Sequence, residues 1–180
     1  PDYGRIINLS HFNRLNRILK QDEVYIVFGG KTNAEKLFIE PTLLSIKDAM
    51  ASSMQEEIFG PILPILTYEN IDEALEYINA HDKPLALYIF SQDKKQINYI
   101  LNQTTSGGVS INDTINHLTN LNLPFGGIGA SGMGDYHGKY SFETFSHKRS
   151  IINKTTKINL KLLFPPYTDL KYKLIHRFFK

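Results

Sequence analysis

Two adjacent carboxylates, an aromatic ring and a Gly-Pro turn stand together in Met54-Gln-Glu56-Glu57-Ile-Phe59-Gly60-Pro61, directly before an apolar run. These types suit a polar ring ligand. A carboxylate accepts two hydrogen bonds from a pair of hydroxyls such as those of a ribose, and a phenyl face packs on a heteroaromatic ring. The competing reading, which chemistry alone favours, is a solvated acidic pair beside a core phenylalanine. A second candidate, Gly127-Ile-Gly129-Ala-Ser-Gly132, spells the dinucleotide fingerprint GxGxxG. That fingerprint works when a strand delivers the first glycine, a helix N-terminus receives the pyrophosphate, and an acid follows about 20 residues on. Here Pro124-Phe125-Gly126 precedes it, more glycines follow, and the region near Asn153 holds no acid, so a tight glycine loop is the better reading.

Six histidines form no HxxxH or HxH pair and the chain has no cysteine. A zinc site is therefore not expected, and a disulfide or a thiolate nucleophile within these residues is excluded. His137, next to Tyr136 in the glycine-rich stretch, is the histidine best placed to meet a ligand, although a lone histidine is more often a hydrogen-bonded structural residue. No serine is placed as an elbow nucleophile, which argues against a hydrolase.

The elements that must position these residues follow from periodicity. Ser10 as N-cap and Phe12, Leu15, Ile18 and Leu19 predict a helix over about 10–20. Val24 to Phe28, ended by Gly29-Gly30, predicts a buried strand, and Leu37 to Ile39, stopped by Pro41, a second one. Ile62 to Tyr68 is a further strand, and Asn70-Ile-Asp-Glu73 is a capping box opening a helix from Ile71 to Ala80. Leu85 to Phe90 repeats the strand signal, Ile97, Ile100 and Leu101 mark a helix, and Val109 to Ile111 is the next strand. Alternating strands and helices predict an α/β fold with parallel neighbours. Residues 112–138 lose all periodicity while glycines crowd between Gly126 and Gly138, so a long loop is expected there. Regular pattern returns over Phe142 to Phe145, and Ser150 to Leu163 reads as extended through Ile151, Ile158, Leu160 and Leu162.

After Pro165-Pro166, Leu170, Leu174 and Phe178 share one helical face, ringed by Lys171, Lys173, Arg177 and Lys180. Such a basic amphipathic tail suits a membrane surface or a partner, the alternative being a surface helix packed on its own domain. With 180 residues, 42% hydrophobic and 21% charged, the chain is one domain or a large piece of one. A net charge of +2 without a basic face before the tail argues against nucleic acid. No apolar run approaches the roughly 20 residues needed to span a bilayer, and a cytoplasmic protein, with membrane association through the tail left open, is expected. The start at Pro1 points to upstream sequence or to processing.

Three segments in order carry a family resemblance: Glu56-Glu57-Ile-Phe59-Gly60-Pro61, then Ser106-Gly-Gly-Val-Ser-Ile-Asn112-Asp113, then Leu123-Pro-Phe-Gly-Gly-Ile-Gly-Ala-Ser-Gly132. They resemble the aldehyde dehydrogenase superfamily. Tyr3-Gly-Arg-Ile-Ile7, Pro84-Leu-Ala-Leu-Tyr88, Tyr136 to His147 and Phe164-Pro-Pro-Tyr167 are similar to its class 3 and fatty aldehyde branch. The resemblance implies oxidation of an aldehyde to a carboxylic acid through a cysteine thiohemiacetal, with hydride transfer to NAD or NADP. It implies that Glu57 holds the nicotinamide ribose hydroxyls, that Phe59 packs near the nicotinamide ring and that His137 lies at the cofactor end of the site. Asn112, Thr114 and His117 would line the substrate funnel, with the loop from Thr114 to Asn122 at the aldehyde entrance.

The family's nucleophilic cysteine, general-base glutamate and oxyanion asparagine precede the match to Tyr3-Gly-Arg-Ile, so no catalytic residue is expected in this chain. The implied fold is the C-terminal part of the catalytic α/β domain, with a mostly parallel sheet, over residues 1–146. An extended bridging and oligomerisation segment over 147–163 and an amphipathic C-terminal tail over 164–180 would follow. A homodimer is implied as well. Two other readings are kept: a non-catalytic homologue acting as a scaffold, and an independent nucleotide-binding module built on the glycine motif.

Overall fold

The computed structural model describes residues 3–157 and 160–178. Helix α1 (Leu9–Gln21) leads through a 3-10 turn to strand β1 (Ile26–Phe28), a short hairpin of β2 (Thr32–Asn33) and β3 (Phe38–Ile39), and β4 (Thr42–Ser45). A second 3-10 turn (Ser52–Met54) precedes β5 (Ile62–Ile65) and α2 (Ile71–Asn79). Strand β6 (Ala86–Ile89), helix α3 (Lys94–Gln103), strand β7 (Gly108–Ile111) and the short helices α4 (Asn116–Thr119) and α5 (Gly138–Thr144) follow, and α6 (Asp169–Phe178) closes the described chain.

Local capping explains where the helices start. Asn70 Oδ1 accepts from the Glu73 amide at 3.2 Å, so Asn70 caps α2 as predicted, but the return half of the box shifts by one residue: the Glu73 carboxylate accepts from the Glu69 amide at 3.0 Å and from Asn70 Nδ2 at 2.7 Å. On α1 the cap is Asn8, not Ser10: Asn8 Oδ1 accepts the His11 amide at 2.9 Å from an extended backbone. Asn is at least as good an acceptor as Ser at this position, and it stands three residues before a free N–H.

The strands form three sets, β1-β4-β5, β2-β3 and β6-β7. Among the described residues β4–β5 and β6–β7 are parallel, while β1–β4 and β2–β3 are antiparallel. The expected mostly parallel sheet is thus a mixed one. Parallel neighbours require a long crossover, which α3 and the residue 46–61 segment supply, whereas short connections impose antiparallel pairing. Strand β4, which the pattern ending at Pro41 left out, is the centre of its sheet, with Leu44 fully buried. The run from Val24 to Phe28 is not a buried strand. Val24 falls in the 3-10 turn and Phe28 stays exposed, because β1 is an edge with β4 on one side only.

Two cores result. Phe12, Leu15 and Leu19 of α1 pack on Ile39, Leu44 and Ile62, and Leu75 of α2 packs with Ile89, Ile97 and Ile100. The apolar stripe of α1 is buried on the schedule its spacing predicts. Beyond residue 146 no described residue is buried. The expected extended segment takes no place in a sheet among the described residues, Ile151 and Ile152 are exposed, and Lys161–Leu163 forms a 3-10 turn; Ile158 lies outside the described residues. Helix α6 packs on that turn through Lys171 Nζ, which donates to Lys161 O at 3.1 Å and Phe164 O at 2.9 Å. It does not pack into a core, and Leu170, Leu174 and Phe178 stay exposed. No described helix is long and apolar enough to cross a membrane.

Candidate functional site

The acidic segment is held by α1. Asp22, at the C-terminal end of that helix and buried, accepts the Ser52 amide at 2.9 Å and the Ser53 amide at 2.7 Å, which starts the 3-10 turn leading to Glu56. From the same helix Arg14 Nη1 donates to Glu57 O at 3.2 Å and Nη2 to Ile58 O at 2.5 Å. Arg14 also pairs with Glu56 Oε2 at 3.4 Å, and Arg17 donates to Glu56 Oε1 at 2.7 Å. Then Gly60 lets the chain cross α1 at close range, since a Cβ there would sit 2.6 Å from Leu15 Cδ1.

The two carboxylates consequently differ. Glu56 is engaged by two guanidinium groups, whereas the Glu57 carboxylate has no hydrogen bond or ion pair among the described residues. Phe59 takes a backbone φ of +45° and its ring is 80% exposed. A bulky residue in the left-handed region costs of order 1–3 kcal/mol and is kept where the surroundings over-determine it, commonly at a ligand site. Glu57 and Phe59 border an open cleft of about 510 Å³ together with Arg5, Ile6, Ile7, His11, Arg14 and the ion-paired Glu56. The Arg5 guanidinium lies 5.1 Å over the Phe38 ring, which fixes one wall. On its other side Glu57 borders a second open cleft, where the residues from His81 to Leu85 meet Ala130 and Ser131 of the glycine loop.

His137 and the three funnel candidates line neither cleft. His137 stands at the start of α5 with φ +96°, its amide donating to Ser141 Oγ at 3.0 Å and its Nδ1 lying 3.2 Å from Leu123 O. Its ring packs on Tyr136, with centroids 4.4 Å apart, and lies 6.2 Å from Phe125. Phe125 in turn lies 5.8 Å from His117, whose other neighbour is Tyr88. His117 and His137 are therefore brought together through one aromatic row. Both ring nitrogens of His117 are buried without a hydrogen-bond partner among the described residues, so its ring faces inward rather than toward an entrance.

Asn112 ends β7 with φ +56°, and its side chain exchanges two 2.9 Å hydrogen bonds with the backbone of Ser91. That amide is spent on joining the ends of β6 and β7. Thr114 lies beyond, its amide donating to Asp113 Oδ1 at 2.8 Å. The Asp113 carboxyl is held below its ordinary range by the hydrogen bond from Asn116 Nδ2 and by the Thr114 amide.

The glycine motif does not open a helix. Gly129–Ser131 is a 3-10 turn, Ser131 Oγ accepts the Ile128 amide at 2.9 Å, and a Cβ on Gly127 would strike the Ser131 carbonyl. Phe125 and Tyr136 pin the ends of the loop by paired backbone hydrogen bonds of 3.1 and 3.0 Å. The geometry needed to cradle a pyrophosphate is missing from this loop, which opposes an independent nucleotide module. Residues that sequence reasoning passed over are Arg14, Arg17 and Asp22. Their signal was faint: two arginines three apart on the polar face of α1, and an acid just after its end.

Residues 1–151 match the aldehyde dehydrogenase family. The chain is 52% identical over 180 residues to 4,4'-diaponeurosporen-aldehyde dehydrogenase of Staphylococcus aureus, covering all of this chain and 39% of that one. It is 52% identical over 174 residues to aldehyde dehydrogenase family 3 member A2 of Mus musculus, covering 95% and 35%. A rat relative named aldehyde dehydrogenase, dimeric NADP-preferring, is 49% identical over 86% of the chain and 34% of its own length. The substrate-bound state of Staphylococcus aureus AldH superposes with a TM-score of 0.88 at 52% identity, over all of this chain and 39% of that structure. The NAD+ complex of a Bacillus cereus aldehyde dehydrogenase superposes at 0.73 with 27% identity, over 81% and 30%. The chain thus spans a little over a third of the relatives it matches, and it belongs to the aldehyde dehydrogenase family.

Proposed function

We propose that this chain is the C-terminal, coenzyme-facing portion of an NAD- or NADP-dependent aldehyde dehydrogenase, an oxidoreductase converting an aldehyde to a carboxylic acid. The cysteine nucleophile, general base and oxyanion residue belong to polypeptide outside these residues, since a thiolate has no substitute among them. The observation that carries the reading is the pairing of an uncommitted Glu57 carboxylate with a Phe59 ring held outward at positive φ. These residues fit the nicotinamide half of the coenzyme. Glu57 would accept hydrogen bonds from the ribose hydroxyls and Phe59 would pack beside the ring, while His137 supports the cofactor end and Asn112, Thr114 and His117 line the funnel from beneath. When bound, the nicotinamide supplies the hydride acceptor. This chain's part is to hold its ring at a fixed distance and angle, which is where an enzyme gains rate through orientation.

The aldehyde is an aliphatic or fatty one, a reading supported by a relative at 52% identity named for a diaponeurosporen aldehyde. Residues 1–146 form the catalytic-domain portion, and 147–163, with exposed Ile151 and Ile152, bridge to a second copy in a homodimer. The name of the dimeric rat relative supports that partner. Residues 164–180 lay the exposed Leu170, Leu174 and Phe178 of α6, flanked by basic residues, on a lipid surface from the cytoplasmic side.

The test is Glu57→Gln in the complete protein, titrated with NADH and NADPH. Loss of a charged acceptor for two hydroxyls is expected to raise the coenzyme Kd by about tenfold or more. An unchanged Kd for both coenzymes would remove the reading.

A further inference from the structure

We infer that Arg14 is a positioning residue that sets the Glu57–Phe59 segment for the coenzyme. The inference rests on the role proposed above for Glu57. Arg14 lines the same cleft as Glu57 and Phe59, and its bonds in the protein run to the backbone there. Its guanidinium grips the carbonyls of Glu57 and Ile58, the peptide groups immediately before the left-handed residue, at 3.2 and 2.5 Å. A planar fork bonded to two successive carbonyls fixes the direction of the peptide between them, and with it the φ that Phe59 must adopt. The third contact, to Glu56 Oε2 at 3.4 Å, is shared with Arg17 at 2.7 Å. Both acids line the cleft, but two cations engage the Glu56 carboxylate, which leaves Glu57 as the uncommitted one.

Several features anchor Arg14 in turn. It is next to Leu15 and one turn from Ile18, both fully buried, and its side chain is the least exposed partner of the described ion pairs, at 23%. Rigid packing of α1 on Gly60 means that a displaced guanidinium cannot be compensated by a shift of the helix. A lysine preserves charge but cannot bridge two carbonyls and a carboxylate in one plane.

The test uses the complete enzyme with NADH and NADPH titrations beside steady-state kinetics. Arg14→Met is expected to raise the coenzyme Kd and KM by about tenfold with the aldehyde KM unchanged, Arg14→Lys by an intermediate factor, and Arg17→Met by less than about twofold. In a Glu57→Gln background Arg14→Met should cost less than about a third of what it costs alone, because both act on one contact. Overturning results are a coenzyme Kd within about twofold of the parent for folded Arg14→Met or Arg14→Lys, or factors that multiply in the double variant. If Glu57→Gln alone changes nothing, the coenzyme role itself fails; if it weakens binding while both Arg14 variants bind normally, only this inference does. Should Arg14→Met fail to fold, the Lys variant, alone and with Glu57→Gln, decides.

Discussion

Phe59, Asn112 and His137, all singled out by type or resemblance, are three of the non-glycine residues with positive φ, at +45°, +56° and +96°. Strain at such positions persists only when neighbouring bonds impose it, and each has an identifiable restraint: Arg14 for Phe59, Ser91 for Asn112 and Ser141 for His137. Asn112 permits a direct check. Asn112→Ala removes two hydrogen bonds to the Ser91 backbone and replaces a residue that tolerates the left-handed region with one that does not, so it is predicted to open the β6–β7 end by about 2 kcal/mol. Hydrogen exchange at the Ser91 and Asn112 amides measures it, and Asn112→Gly, which tolerates the φ, should be milder. The residue types were legible in the sequence. Which of Glu56 and Glu57 is free was not, because the deciding arginines lie about forty positions away, beyond any local pattern.

At the level of elements, periodicity predicted α1, α2 and α3, since an apolar stripe repeats within one helix, while capping placed the start of α2 at Asn70 but that of α1 at Ser10 instead of Asn8. Strand partners were less legible. Val24 to Phe28 has the composition of an interior strand, yet its neighbours leave it at an edge. The glycine motif shows the same limit, because six letters cannot state whether a helix follows. The meeting of α1 with the acidic turn depends on Gly60. Gly60→Ala is predicted to push on Leu15 and cost about 1–3 kcal/mol, with Phe59 displaced as the chain gives way. The fall in thermal midpoint of the complete protein, with a parallel rise in coenzyme Kd, is the measurement; a variant that binds and melts like the parent would show that the helix yields instead.

For the molecule as a whole, two modest cores carry a chain whose exposed apolar residues include Phe28, Ile152, Phe145 and Phe178. Such surface is ordinarily covered by other polypeptide or another subunit. The chain has no thiol, so the 180-residue piece alone is predicted to give no aldehyde-dependent NADH or NADPH formation. A purified sample assayed with both coenzymes tests it, and turnover would refute the assignment of the nucleophile to other residues. By itself the sequence determined the family, the lack of a cysteine within these residues, the helical stripes and the short list of chemically capable side chains, because composition and short-range periodicity are local properties. Tertiary structure alone decided which carboxylate is left unpaired and which strand is an edge. Those outcomes depend on contacts between residues far apart in the chain, whose geometry is set only when α1 packs across the sheet.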